Sequence, residues 1–133
     1  MATKTKTKLE KTTNESVDSK DVKAVAKYIR GSAKKLRPIA NLIRGKHVKV
    51  AIGILTNLPN KGAHSILKVL NSAIANAENN NKYDKTNLYI TTILIDDAVF
   101  FKRHQPRARG RMFPIIKRTS HITVAVNENR GES

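Results

Sequence analysis

Long stretches of this chain carry many cations and no acids, and this pattern constrains its folding more than any other feature. Eleven Lys and Arg residues lie between Asp21 and Glu78, and seven more lie between Asp97 and Glu128. Neighbours in the sequence therefore cannot neutralise these charges. A compact body of 133 residues with a formal net charge of +16 repels itself strongly. We expect a polyanionic partner, either nucleic acid or an anionic membrane surface.

The overall composition predicts one small domain with a modest core, because only 39% of the residues are hydrophobic. The absence of cysteine excludes a disulfide scaffold, a thiol nucleophile and a cysteine-based zinc site. No run of about 18 apolar residues could span a membrane. The N-terminal residues also lack the apolar segment of a secretory signal. We therefore expect a soluble protein that works in the compartment where it is made.

Three regions are predicted along the chain. Residues 1–21 are almost free of apolar side chains and cannot offset the entropy of ordering, so we expect a disordered tail. Residues 22–128 should form a single domain, which includes an extended hairpin over residues 88–126. Residues 129–133 are left as a short C-terminal tail.

The first elements of the domain are predicted to be a strand and a helix. The segment VKAVAKYIR is typical of a short or edge strand. Ser32 is a suitable N-cap and Gly45 a suitable stop signal for a helix between them. Pro38 lies inside this helix, so we expect a kink or an irregular first turn. The apolar face repeats at helical spacing through Leu36, Ile39, Ala40 and Ile43.

Residues 47–58 fit two structures. Val48, Val50, Ile52 and Ile54 alternate as in a strand, whereas Val48, Ala51, Ile52 and Leu55 fit one face of a helix. The β-branched residues favour the strand by local propensity. Residues 61–79 are the clearest helix, because an apolar stripe runs along one face. Its members are Ala63, Ile66, Leu67, Leu70, Ala73, Ile74 and Ala77.

Two β-rich runs, residues 88–103 and 114–126, are predicted to form one long antiparallel hairpin with a turn between them. Five of the seven cations in the second acid-free stretch are Arg, whose planar guanidinium makes paired contacts with phosphate. About eight residues beyond the body would reach roughly 25 Å. An isolated hairpin is only marginally stable, so we expect RNA to surround it.

Folded RNA fits the sequence better than DNA does, because no recognition helix, zinc finger or basic zipper is present. Three Tyr, three Phe and no Trp are few for single-strand stacking platforms. Recognition of RNA shape and phosphates is therefore favoured. A free nucleic-acid-binding protein outside any larger particle is the alternative.

Catalytic and metal-binding patterns are missing from the sequence. The four histidines share no metal-ligand spacing. Asp96 and Asp97 are adjacent, but neighbours on a strand point to opposite faces, so we expect them to mark the end of the core-paired sheet. The glycines fit no phosphate-binding loop. We expect no enzyme activity, no cofactor, no metal and no small-molecule substrate.

Three separated segments form a specific set of motifs, which are Leu42-Ile43-Arg44-Gly45-Lys46, SAIANAENN at 72–80, and FKRHQPRARGR followed by KRTSHITV. Together and in this order they resemble the bacterial-type L-twenty-two (uL-twenty-two) family of large-subunit ribosomal proteins. The resemblance implies an α+β fold, in which three helices pack on a small three-stranded antiparallel sheet with a long protruding β-hairpin. It also implies that residues 47–58 are helical. The chain departs from the family pattern at Ala98-Val99, where Gly-Pro is usual, and at the bulkier Met112-Phe113.

The charge pattern and the resemblance together predict the residues that contact ribosomal RNA. They are Lys27, Arg30, Lys34, Lys35, Arg37, Arg44, Lys46, Lys61, Lys102, Arg103, Arg107, Arg109, Arg111, Lys117, Arg118, Ser120 and His121. The resemblance also implies a hairpin tip that lines the nascent-peptide tunnel. Its residues are Lys102, Arg103, His104, Gln105, Pro106, Arg107, Ala108, Arg109, Gly110 and Arg111.

The expected partners are large-subunit ribosomal RNA, neighbouring ribosomal proteins and the nascent polypeptide, with no membrane. The expected location is the cytoplasmic ribosome of a bacterium, with an organellar ribosome as the alternative.

Overall fold

The computed structural model describes residues 21–128, and within them the chain forms the predicted α+β fold. The tail assignments for residues 1–21 and 129–133 lie outside the described residues, apart from Asp21. The elements are β1 (Val22–Arg30), α1 (Ala33–Ile43), α2 (Val48–Asn57), α3 (Lys61–Asn81), β2 (Leu88–Asp97), β3 (Phe101–Pro106), β4 (Met112–Lys117) and β5 (Thr119–Glu128). None of the helices in this part of the chain is long and apolar enough to cross a membrane.

The body is one antiparallel sheet with helices on one face. Its strand order is β1-β5-β2, so β5 is central and pairs with both edge strands. Helix α3 packs over β1 and β5, α1 over β2, and α2 against α3. Alternate residues of β5, Ile122, Val124 and Val126, are fully buried against these helices because successive strand residues point to opposite faces.

Helix α1 confirms the predicted face, since Leu36, Ile39, Ala40 and Ile43 are all buried. The helix continues across Pro38. Its first turn includes a bond from the Lys35 N–H to the Ser32 carbonyl oxygen (3.0 Å), which is the tighter 3₁₀ pattern. Ser32 occupies the N-cap position, but its side chain makes no capping bond. Gly45 follows the helix with φ +69°, a conformation that favours glycine.

Residues 48–57 are helical, so the strand favoured by local propensity is wrong and the resemblance is right. As a helix, the segment buries Val48, Ala51 and Leu55 almost completely and leaves Val50 53% exposed. The contacts available to the helical face outweigh the β-branched preference. His47 caps the helix, because its Nδ1 accepts from the Lys49 N–H (3.3 Å) while its Nε2 contacts the Thr86 carbonyl oxygen (2.7 Å).

The predicted long hairpin is built as two paired segments with a joint between them. Strands β2 and β5 pair as far as Asp97 and Ser120, and β3 and β4 then pair from Phe101 with Lys117 to Pro106 with Met112. The continuous strand predicted over 88–103 is therefore interrupted at residues 98–100. Thr119 holds this joint, since its carbonyl oxygen accepts from the Ala98 N–H and its hydroxyl donates to the Val99 carbonyl oxygen.

We predict opposite effects of alanine at two helical glycines. A Cβ at Gly62 would lie 2.6 Å from Leu36 Cδ2 and 3.1 Å from Ile39 Cδ1, whereas a Cβ at Gly53 meets nothing within 4 Å. Gly53→Ala should raise the free energy of unfolding by about 0.5–1 kcal/mol. Gly62→Ala should lower it by about 1–3 kcal/mol through overpacking. Urea unfolding measures both, and a stabilised Gly62→Ala variant would contradict the close helix contact.

Candidate nucleic-acid interface

All fifteen Lys and Arg residues predicted to contact RNA are exposed. Within residues 21–128 only two ion pairs form, Arg37 with Asp97 (3.1 Å) and Lys85 with Glu78 (3.7 Å). The folded body therefore leaves most of its cations without acidic partners among the described residues. A surface of this kind attracts phosphate groups over a distance of about one Debye length.

Six of these cations line two adjoining concavities of ≈ 780 and ≈ 500 Å³, which we name the basic groove. They are Arg30, Lys34, Lys35, Lys61, Lys117 and Arg118. The groove lies where the end of β1, the starts of α1 and α3, and the base of the β3-β4 ribbon meet. A bond from the Gly31 N–H to the Arg118 carbonyl oxygen (3.3 Å) ties the ribbon base to the body.

Two helix N-termini open into the basic groove. Ser32 and Asn60, the N-cap residues of α1 and α3, both line it, and neither side chain makes a capping bond. Neither helix has an acid in its first turn. The first N–H groups of a helix have no partner inside it and carry the positive end of its dipole. The positive ends of the two helices and the lysines therefore both contribute positive potential to the groove, which suits it to binding phosphate.

The ribbon carries the second group of cations. Every residue from Phe101 to Arg118 is exposed, so the ribbon stands outside the core. At its tip the Arg107 N–H donates to the Arg111 carbonyl oxygen (2.7 Å), and Arg109 and Gly110 turn the chain at φ +60° and +68°. The arginines of this turn are therefore carried by a tight, exposed loop outside the buried core.

Arg37 and Arg44 have a structural use that the sequence did not indicate. Arg37 Nε donates to the Ile95 carbonyl oxygen (3.3 Å), and Arg44 Nη2 donates to the Ile93 carbonyl oxygen (3.1 Å). Both guanidinium groups therefore cover the outer edge of β2, which would otherwise present unpaired carbonyls. Arg37 also pairs with Asp97, so these two residues are less free to bind RNA than the lysines of the groove.

Two predicted contact residues are placed differently from the rest. Ser120 is 0% exposed and its hydroxyl is buried, so its side chain cannot reach RNA, and this assignment is corrected. His121 is half-buried. Its Nδ1 accepts from the Tyr28 N–H (3.1 Å) at a bulge in β1, and the two rings meet edge-to-face at 4.7 Å. Tyr28 has φ +57°, and no sequence signal identifies a tyrosine in that conformation.

Asp96 and Asp97 end β2, and within the described residues no cluster of His, Asp or Glu side chains could hold a metal ion. The arrangement of groove and ribbon is suited to a nucleic-acid-binding protein of the kind that contacts phosphates. The model of the family Ribosomal protein L22p/L17e matches residues 24–127, and the chain belongs to this family. The resemblance noted in the sequence is confirmed. The family comprises structural proteins of the large ribosomal subunit that bind ribosomal RNA, so the chain belongs in ribosomes.

We predict that an acid in the first turn of α1 stabilises the fold and weakens RNA binding. Lys34→Glu places a negative charge at the dipole's positive end and should raise the free energy of unfolding by about 0.3–1 kcal/mol. Loss of the Lys34 ammonium group from the basic groove should reduce the affinity for ribosomal RNA. Lys49→Glu is the matched control, because Lys49 is also the second residue of its helix and lies outside the groove. Equal affinity losses in both variants would contradict a localised site.

Proposed function

We propose that the chain is a structural constituent of the large ribosomal subunit that organises ribosomal RNA through two surfaces. The basic groove holds phosphates against the body, and the ribbon enters folded RNA. On this proposal the ribbon tip, residues 102–111, forms part of the nascent-peptide tunnel wall and contacts the growing polypeptide. The protein performs no chemical reaction and needs no cofactor.

The observation that carries this proposal is the meeting of six cations and two uncapped helix N-termini in one groove. Nothing in that geometry reads base edges, so it favours binding through phosphates and RNA shape. The ribbon supports the second half of the proposal, because an exposed two-stranded segment rich in arginine lacks a core of its own. RNA packed around it would supply both the missing contacts and the countercharge.

The dependence of affinity on salt tests the role of the groove. Each phosphate contact contributes about 0.9 to the slope of log affinity against log salt concentration for duplex nucleic acid. A variant with Lys35→Gln and Arg118→Gln should therefore reduce the slope by roughly 1–2. A variant with Lys82→Gln and Lys85→Gln removes the same charge at the far end of α3 and should change the slope much less. Filter binding to large-subunit RNA measures both.

Deleting residues 104–111 tests the separation of body and ribbon tip. The deletion leaves residues 112–114 as a turn between Arg103 and Ile115, which are register partners. No core residue is lost, so the free energy of unfolding should change little and the protein should still enter large subunits. A map of the assembled particle should show an altered tunnel wall. Unfolding of the whole domain would contradict the proposal.

Gradient sedimentation in high salt separates the ribosomal proposal from a free nucleic-acid-binding protein. Migration with large subunits supports the proposal, and migration with chromosomal DNA rejects it.

A further inference from the structure

We propose that one face of the ribbon, near its tip, holds a single unpaired RNA base stacked on Phe113. This inference rests on the proposed function, since it assumes that RNA surrounds the ribbon. It adds a base-binding site to surfaces that otherwise contact phosphates. We name this site the base shelf and define it by Gln105, Arg107, Phe113, Pro114 and Ile115, which line one concavity of ≈ 470 Å³.

The register of the ribbon brings the polar and aromatic groups of the shelf together. Gln105 pairs with Phe113 across the two strands, so both side chains lie on the same face. Ile115 lies two residues further along that face and extends the apolar floor. The guanidinium carbon of Arg107 lies 5.7 Å from the centre of the Phe113 ring. An apolar floor is thus bordered by one cation and one amide.

Phe113 contributes nothing to the buried core of the protein. Its side chain is 53% exposed, and the ribbon contributes no residue to the buried core. A large aromatic ring that stays in water loses the stabilisation that burial would provide. A partner that covers the ring would recover it. The surrounding arginines make that partner a polyanion rather than an uncharged peptide.

A nucleobase matches the three kinds of group on the shelf. Every base has a flat face that stacks on an aromatic ring, and a guanidinium stacks in the same way. The Gln105 amide offers a donor and an acceptor, the pair that recognises the N6 and N7 positions of adenine. Arg107 is exposed and can move outward to admit the base. A phosphate alone would gain nothing from the apolar floor.

The test uses the full-length chain and a short RNA duplex with one bulged adenosine, compared with the same duplex carrying an abasic ribose at the bulge. Both RNAs present the same phosphates, so binding through the basic groove is equal. Removal of the base should weaken binding to the unmodified protein roughly 5- to 100-fold, as expected for one stacked base. In Phe113→Ala the two RNAs should bind alike. A third duplex with a bulged uridine tests the amide contact. The unmodified protein should prefer adenosine to uridine, and Gln105→Ala should keep the stacking but lose this preference.

Met112→Ala is the matched control, because Met112 is 62% exposed and lies on the opposite face of the same strand. It should discriminate between the two RNAs as the unmodified protein does. Equal binding of both RNAs by the unmodified chain overturns the base shelf. So does a loss of discrimination in Met112→Ala equal to that in Phe113→Ala. In either case salt-dependent binding to ribosomal RNA would persist, whereas failure of the proposed function would remove that binding as well.

A photo-crosslinking phenylalanine analogue at position 113 tests the site in translating ribosomes. Crosslinks to a base of ribosomal RNA support the base shelf. Crosslinks that form with the nascent polypeptide and not with RNA overturn it.

Discussion

The apolar layer between the central strand β5 and helix α3 holds together a body whose surface charges repel one another. Ile122, Val124 and Val126 are fully buried on one side of this layer, and Ile66 and Leu70 are fully buried on the other. Hydrophobic burial does not depend on charge and is not screened by salt, so it tolerates a surface without balancing acids. Because β5 also continues the strand β4, the same layer anchors the base of the ribbon. Arg37 and Arg44 bond to carbonyl oxygens of β2, but the fold that presents the cations is held together mainly by this apolar layer.

The sequence predicted those elements whose burial follows a single clear period. Helix α1 buries the residues that its apolar stripe indicates, and α3 buries all of its predicted stripe except Leu67, with Val69 buried in addition. Ile122, Val124 and Val126 of β5 are buried on the predicted face. Helix α2 could not be predicted from its own residues, because two periods fitted and propensity favoured the wrong one. Its conformation is decided by the contacts of Val48 and Leu55 and by His47, which caps the helix through Nδ1 and contacts the distant Thr86 carbonyl oxygen through Nε2. The joint at residues 98–100 likewise depends on Thr119, which is remote in sequence.

The candidate interface, like the fold, could be predicted from the sequence only in part. Charge alone identified the exposed cations, but it could not distinguish residues that face solvent from those that bond within the fold. Arg44 and Lys46 are two residues apart. The Arg44 guanidinium donates to the Ile93 carbonyl oxygen of β2, whereas the Lys46 side chain makes no such bond among the described residues. The convergence of two helix N-termini on the basic groove is also a property of packing, since helices α1 and α2 lie between residues 33 and 61 in the sequence. Ser120 was assigned to the interface because it belongs to a family segment, and only its burial shows otherwise.

The unpaired edge of strand β1 affects how the protein behaves before it binds RNA. It is an outer strand of the sheet, and one of its edges has no strand beside it within the described residues. Such an edge invites a second copy to pair with it, and this is how many β-proteins begin to aggregate. Exposed Lys23 and Lys27 lie along β1, and the bulge at Tyr28 breaks its regular spacing. Both features oppose pairing between copies and so lower the tendency of the free protein to aggregate.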